Sequence, residues 1–295
     1  MSVLPSGEQW TIEGGGYAGT VVSVGGGLRG LTFEGRELLL GFGEDEAAHA
    51  GIGQHLFPWP NRVTDGKYSF GGVDQQLYLT EPARRNAIHG LTRWANWIRL
   101  DDGSDPSYLE TGHRLHGQPG YPHQLELRLQ YRLDDGLTVT ATAVNVGTTA
   151  APYGYGAHPY LSVGRPIDEC VLEFTAKHWL KTSPEQLSPI GLAPVTGSPY
   201  DFSTGRRVLG QLDIDNAFTG LGSAWSVTLS DPDSTARATL SADTPWMQLY
   251  TGNAIGRTAL AVEPMTCPPD AFVTGQDLVV LEPGQSHETS FRVSA

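Results

Sequence analysis

The strict alternation of apolar and polar residues in the middle of the chain limits the possible folds more than any other feature. In LELRLQYRL, residues 125–133, leucines and one tyrosine alternate with charged or amide side chains. A period of two is typical of a β-strand that buries one face. Asp135-Gly136 follows, a dipeptide favoured in two-residue hairpin turns, and LTVTATAV then alternates in the same way. The stretch therefore predicts an antiparallel hairpin with one buried face.

Similar short runs recur along the chain, whereas no long run has helical periodicity. WSVTLS and ARATLSA are two of them, and 37 glycines and 20 prolines punctuate such runs throughout. Two GxGxxG matches, at 14–19 and 25–30, are followed by strand-like residues, so we interpret them as hairpin turns and not as a dinucleotide site. Asp65-Gly66 predicts a further hairpin. We predict an all-β fold in which residues 1–295 form a single large antiparallel β-sandwich domain.

The charge balance excludes some classes of partner. Asp and Glu number 32 and Lys and Arg 19, which gives a net charge of −13. Such a chain has no electrostatic footprint for nucleic acid and is repelled by anionic lipid. No basic region followed by an apolar core opens the sequence, and Cys170 and Cys267 could form one bridge but make no zinc pattern. We expect a soluble, cytoplasmic protein that binds neither nucleic acid nor membrane.

Two motifs place an ionisable residue directly before a proline. Glu263 follows an apolar run in AVEPMTCPPDAF, and His158 precedes Pro159 in GYGAHPYLSVG. A residue before proline is biased toward extended backbone angles, and Pro264 is expected to end the strand that carries Glu263. A surface glutamate in a proline-rich loop is the simpler interpretation of the first motif alone. The repetition of the design favours a general acid and general base pair.

Residues that suit a sugar occur in three further motifs. FPWPNRVTDG holds Trp59, Asn61 and Arg62, and NAIHGLTRWANW holds His89. Aromatic faces cover the apolar side of a pyranose, and arginine offers forked donors to hydroxyl oxygens. DIDNAFTGL holds two aspartates, of which one would serve a turn and the other would accept hydrogen bonds from a diol. Each residue also has a purely structural interpretation, as a packed aromatic, a surface charge or a structural histidine.

The motifs occur in the order NR, NxIHG with a following Trp, HPYL, DNAF and EPMTCPPDAF, from about residue 61 to 272. This order resembles the aldose 1-epimerases, also called galactose mutarotases. The resemblance implies a galactose-mutarotase-type β-sandwich that interconverts the α and β anomers of a free aldohexose such as glucose or galactose. It also implies a reaction that needs no cofactor and no metal, with a monosaccharide as the only small-molecule partner.

The resemblance also assigns roles to residues. It makes His158 the general acid at the ring oxygen and Glu263 the general base at the anomeric hydroxyl. A nearby acid would be expected to raise the pKa of His158 and keep it protonated. The sugar-binding residues that the resemblance and the motifs together indicate are Arg62, His89, Asp215, Asn61 and Trp59.

Because the sequence departs from the family pattern, the identity of the sugar substrate is not assigned. Leu91 follows Gly90 where many members have a second glycine, and the histidine lies in AHPYL where many have an NHxYF-like context. One alternative is a hexose-6-phosphate 1-epimerase, with phosphate bound at residues 83–85 and Arg93. A second is a non-catalytic sugar-binding protein on the same fold. A third is a glycoside hydrolase that uses Glu263 and Asp215.

Overall fold

The computed structural model describes residues 3–203 and 206–295, which form β-strands joined by turns and a few helical turns. The helical segments are three 3-10 turns at Pro82–Arg84, Ile167–Glu169 and Asn253–Ile255, and one α-helix, α1 (Ala271–Thr274). The strands are β1 (Gln9–Gly14), β2 (Tyr17–Val22), β3 (Leu28–Phe33), β4 (Arg36–Leu39), β5 (His55–Leu56), β6 (Arg62–Thr64), β7 (Lys67–Phe70), β8 (Val73–Gln76), β9 (Asn86–Ile88), β10 (Ile98–Arg99), β11 (Tyr108–Leu115), β12 (Leu125–Leu133), β13 (Leu137–Asn145), β14 (Ala151–Tyr153), β15 (Gly156–Ala157), β16 (Tyr160–Leu161), β17 (Val171–Glu173), β18 (His178–Thr182), β19 (Pro189–Pro194), β20 (Arg207–Val208), β21 (Asp215–Thr219), β22 (Trp225–Ser230), β23 (Arg237–Ala242), β24 (Trp246–Tyr250), β25 (Leu260–Met265), β26 (Val279–Leu281) and β27 (Ser286–Ser294).

Two large antiparallel sheets form a sandwich. The first has the order β1-β2-β3-β4-β16-β25-β24-β21-β18-β19, with β15 and β5 attached beside β25. The second has the order β10-β11-β12-β13-β27-β23-β22-β17-β20. One hydrophobic core includes Ile12 and Leu31 of the first sheet and Leu127 and Val139 of the second, all nearly inaccessible to solvent. The all-β antiparallel sandwich expected from the alternation is therefore confirmed.

The predicted central hairpin is confirmed in detail. Strands β12 and β13 pair in register from Leu125↔Asn145 to Leu133↔Leu137, across the Asp135-Gly136 turn. The alternate apolar side chains of β12 are buried and the intervening ones face outward. The glycine-rich segments also lie in turns, since β1 pairs with β2 and β2 with β3 on either side of them. Local sequence was sufficient here because each partner strand is also the next strand along the chain.

One expectation from local sequence is wrong, and one open possibility is decided. A tight turn does occur at Asp65-Gly66, but the strands beside it do not pair with each other: β6 pairs with β9, and β7 pairs with β8. Cys170 and Cys267 are both buried and unpaired, so the bridge that they could have formed is absent. Among residues 3–203 and 206–295, no helix is both long and apolar enough to cross a membrane.

Candidate active site

Three neighbouring strands of the first sheet carry polar side chains on one face. Glu263 of β25 lies directly opposite Gln248 of β24, and Gln248 lies opposite Ala217 of β21. Residues two apart on a strand share a face, so Asp215 points to the same side as Ala217. The Gln248 amide donates to Oδ1 of Asp215 at 2.7 Å. The sheet register thus aligns a glutamate, an amide and an aspartate across three strands.

Glu263 does not lie at the end of its strand, contrary to the prediction. Strand β25 continues through Pro264 to Met265, and Pro264 pairs with Met247 of β24. On the other side of β25 the neighbouring strand is interrupted at residues 158–159, between β15 and β16. Proline has no N–H, so it fits a strand where no ladder bond is required on that side. The prolines therefore mark the interruption and do not end the strand.

His158 occupies that interruption and is held by the segment before β5. Its backbone N–H donates to the carbonyl of Gln54 at 2.9 Å, and its own carbonyl accepts from the N–H of Gly53 at 3.1 Å. Its ring lies against the backbone of Gly51, where a Cβ would approach Cδ2 of the ring to 2.8 Å. The ring of Tyr160 stacks on the other side, with centroids 5.0 Å apart. The position of the imidazole is thus defined by backbone bonds and by packing.

The two residues predicted as acid and base are in contact. Nε2 of His158 lies 3.3 Å from Oε1 of Glu263, and the two residues are only 5% and 2% exposed. Burial raises the pKa of Glu263 well above its usual range, an effect that Asp215 reinforces and Arg62 opposes. Burial lowers the pKa of His158 to about 3, and the charge of Arg93 acts in the same direction. The expectation of a raised pKa for His158 is therefore wrong, because burial outweighs the nearby acid.

These directions define the charge state of the pair in the free protein. A carboxyl with a raised pKa and an imidazole with a lowered pKa favour the neutral form of the pair, in which the proton that the two groups share lies on the glutamate. Such a pair titrates as a unit. The 3.3 Å contact between Nε2 and Oε1 allows that proton to pass from Glu263 to His158. The neutral and zwitterionic forms are thus connected by a single proton transfer.

Arg62 lies beside the carboxylates and has a counter-ion that sequence reasoning missed. Its Nε and Nη2 donate to the two oxygens of Glu81 at 2.9 and 3.0 Å. The amide of Asn86 also donates to Glu81, at 2.8 Å. Burial lowers the pKa of Arg62, but Glu81, Asp215 and Glu263 together more than reverse this and raise it. A positive charge is therefore fixed near buried Glu263 and half-buried Asp215.

His89 and Asn61 face each other across the paired strands β6 and β9. The backbone N–H of Asn61 donates to Nδ1 of His89 at 3.2 Å, and the N–H of His89 donates to the carbonyl of Asn61 at 2.8 Å. Nδ1 accepts a hydrogen bond, so the neutral ring carries its proton on Nε2. The His89 ring lies edge-on to His158 with centroids 5.4 Å apart. Burial lowers the pKa of His89 well below its usual value, so it is a neutral donor.

The predicted residues differ in how closely they group. Glu263, His158, His89, Arg62 and Asp215 are joined by the contacts and charge interactions above, and Asn61 supports His89 and Arg62 through its backbone and side chain. Trp59 is 2% exposed, and its ring packs against Phe272 with centroids 5.4 Å apart. Its contacts are those of a packed aromatic, and its sugar-binding role stays a prediction.

Several buried polar atoms of the site have no hydrogen-bond partner among residues 3–203 and 206–295. They are Oε2 of Glu263, Oε1 of Gln248 and Nδ1 of His158. Buried polar atoms are normally paired, and those that are not call for an explanation. Sequence analysis missed Tyr160, although its place two residues after His158 indicated that the two side chains share a face.

Comparisons with known proteins show the family to which the chain belongs. The profile of the aldose 1-epimerase family matches residues 8–294. A protein of Escherichia coli K12 described as uncharacterized protein YihR is 35% identical over 291 residues, covering 98% of this chain and 93% of that protein. A GalM/aldose epimerase homologue from C. elegans has the same fold, with a TM-score of 0.85 at 20% identity over 97% of this chain and 98% of that one. Galactose 1-epimerase from Lactobacillus acidophilus NCFM also has this fold, with a TM-score of 0.81 at 22% identity over 96% of this chain and 92% of that one. The chain belongs to the aldose 1-epimerase family.

Proposed function

We propose that the protein interconverts the α and β anomers of an aldohexose, with His158 as general acid and Glu263 as general base. The observation that carries the proposal is the 3.3 Å contact between Nε2 of His158 and Oε1 of Glu263. Anomer exchange moves protons at two oxygens bonded to the same carbon, the ring oxygen O5 and the anomeric O1. Acid and base that touch each other can reach two such oxygens at once. Family membership supports the same reaction.

The proposed steps need one proton on the pair. Glu263, as carboxylate, takes the proton of the O1 hydroxyl while His158, as imidazolium, gives its proton to O5. The C1–O5 bond breaks, a carbonyl forms at C1, and rotation about C1–C2 exposes its other face. Ring closure then returns both protons by the reverse path. Positioned proton transfer of this kind contributes about 10²–10⁴-fold. The positive charge of Arg62 favours the carboxylate form of Glu263 that the first step requires.

The remaining polar groups suit the sugar hydroxyls. Nε2–H of His89 and the guanidinium of Arg62 are donors, and Asp215 is an acceptor whose other oxygen is held by Gln248. We propose that these groups orient the ring so that O1 meets Glu263 and O5 meets His158. The galactose named for the L. acidophilus structure and the glucose that differs from it at one hydroxyl are the first sugars to compare.

Polarimetry on freshly dissolved α-D-glucose and α-D-galactose tests the proposal. We expect the protein to speed the approach to the same final rotation, and Glu263→Gln and His158→Asn to lose most of the acceleration. Glu13→Gln, an exposed change on β1, is the matched control and should keep it. Sugar binding without acceleration would identify a non-catalytic sugar-binding protein instead. Full activity in Glu263→Gln would reject the assigned base.

A further inference from the structure

Arg93 is a partly buried arginine of the site that has no carboxylate partner. Its Nη1 donates to Oε1 of Gln54 at 3.2 Å, and its Nη2 donates to the carbonyl of Ile88 at 3.4 Å. Within the described ranges 3–203 and 206–295, no carboxylate oxygen lies within 4.0 Å of it. A guanidinium has five N–H donors. Two neutral acceptors at these distances leave most of its donor capacity and all of its charge uncompensated.

Arg93 differs in this respect from Arg62, the other arginine of the site. Arg62 is held by both oxygens of Glu81 and lies near two further acids, and these raise its pKa. Burial lowers the pKa of Arg93, with no acid to offset it. Removing a charge from water without a partner is costly, and such groups are found where something else supplies the opposite charge. One guanidinium of the site is therefore neutralised by the protein and the other is not.

Arg93 lies on the histidine side of the site. After burial, its charge is the next cause that lowers the pKa of His89, and it also lowers the pKa of His158. Arg62 also lowers the pKa of His89, but Arg93 is the arginine that binds the side chain of Gln54, whose carbonyl accepts from the backbone N–H of His158. The ring oxygen O5 is bonded to C1 and C5, so if O5 meets His158 and O1 meets Glu263, the other exocyclic group beside O5 is C6 of the hexose. Arg93 is thus placed toward C6, where the half-exposed ring of Trp94 lies 5.9 Å from its guanidinium carbon.

We propose that Arg93 forms an oxyanion subsite for the C6 end of the sugar, so that the preferred substrates are hexoses with a phosphate ester or a carboxylate at C6. This inference rests on the proposed function, because it places O5 at His158. Residues 83–85, the other segment that the sequence suggested for a phosphate, do not share this role. Arg85 is paired with Asp65 at 2.9 Å, and Arg84 is bound to the carbonyls of Pro184 and Glu185.

The subsite would also couple binding to chemistry. The positive charge of Arg93 opposes the imidazolium form of His158. An anion bound to Arg93 cancels that charge and so favours the protonated acid that acts on O5. One unit of pKa is a tenfold change in the protonated fraction. An anionic sugar is therefore expected to gain in kcat as well as in KM.

The test compares three sugars by magnetisation-exchange NMR, which reads anomer exchange directly. We expect kcat/KM for glucose 6-phosphate, for glucuronate or for both to exceed that for glucose at least tenfold. Arg93→Gln should reduce this ratio to about one, Arg93→Lys should keep part of it, and Arg85→Gln, the matched surface change, should leave it as in the wild type. Preference for phosphate or for carboxylate identifies which oxyanion is used. Equal or better turnover of glucose by the wild type, or an unchanged ratio in Arg93→Gln, overturns the subsite.

Calorimetric binding of the same sugars separates this proposal from the proposed function. Epimerisation of glucose without any anionic preference would retain the function and reject the subsite. Tight, Arg93-dependent binding of an anionic sugar without anomer exchange would retain the subsite and reject the function. If neither anionic sugar binds more tightly than glucose, the subsite is rejected whatever the activity.

Discussion

Burial changes the pKa values of both His158 and Glu263, and these shifts affect how the two side chains can exchange a proton. In water a glutamate is ionised at neutral pH and a histidine is mostly neutral. Within the sandwich, burial raises the pKa of Glu263 and lowers that of His158, and both shifts favour a neutral pair that shares one proton. Acid and base are then two forms of the same pair, connected by one proton transfer.

The pH dependence of activity follows from this proton count. The pair works with one proton, so activity should fall only when a second proton binds, toward pH 3, or when the last proton leaves at the raised pKa of Glu263. We therefore expect no loss of kcat/KM as the pH falls from 7 to 5, measured by polarimetry after subtraction of the buffer rate. A fall centred near pH 6.5, the ordinary pKa of histidine, would contradict the direction of the shift.

The element before β5 is as important to the site as the strands that carry the acids. The segment from Gly51 to Gln54 holds both backbone groups of His158 and touches its ring. The local sequence of this segment does not indicate that role, because the segment lies far from His158 along the chain. The hairpin of β12 and β13 was predictable for the opposite reason, since its partners are adjacent and its alternation fixes the register.

Gly51→Ala should reduce turnover and leave the fold intact. A Cβ at this position would press on the His158 ring at 2.8 Å and displace it, so we expect kcat to fall at least tenfold. Gly51 also has φ of +81°, where a side chain costs about 1–2 kcal/mol. Gly71→Ala is the matched control, because φ there is +59° and nothing lies within 4 Å. Equal losses of activity in the two variants would show that strain alone, and not the contact with His158, is responsible.

A second buried histidine links the two sheets below the site. The Tyr131 hydroxyl donates to the carbonyl of Gly26, so its oxygen accepts from Nε2–H of His55 at 2.8 Å, and Nδ1 of His55 then accepts from Tyr155 at 2.8 Å. His55 belongs to β5, opposite Ala157 and next to His158 in the fold. The bond that Nδ1 accepts from Tyr155 requires a neutral imidazole, because both ring nitrogens of an imidazolium are donors. Burial accordingly lowers the pKa of His55 to about 3.

The stability of the whole molecule should therefore contain an acid-sensitive contribution from His55. A lowered folded pKa means that this stability is present above about pH 6.5 and is lost as pH falls toward 3. Between pH 7 and pH 5 it amounts to about 2 kcal/mol. Glu263 acts in the opposite direction, because its raised pKa costs stability as pH rises above its unfolded value, and a comparison with His55→Gln removes this background.

Urea denaturation at pH 7 and pH 5 measures the effect. The fall in the free energy of unfolding between the two values should be about 2 kcal/mol smaller in His55→Gln than in the wild type. Equal pH dependence in both proteins would show that His55 is not held neutral. The same curves test the proposal of a single domain, which requires one cooperative transition across residues 1–295.

The sequence by itself determined the class of fold and indicated the candidate reactive groups. Alternation, turn dipeptides and pre-proline positions are properties of adjacent residues, and they indicated an antiparallel sandwich and the pair His158 and Glu263. The tertiary structure alone decided that Pro264 lies within a strand and that Arg62 is paired with Glu81. It also decided that Arg93 has no carboxylate partner among residues 3–203 and 206–295. It also decided the protonation of the pair. Strand order, burial and electrostatic environment depend on segments far apart in the chain, and no local pattern encodes them.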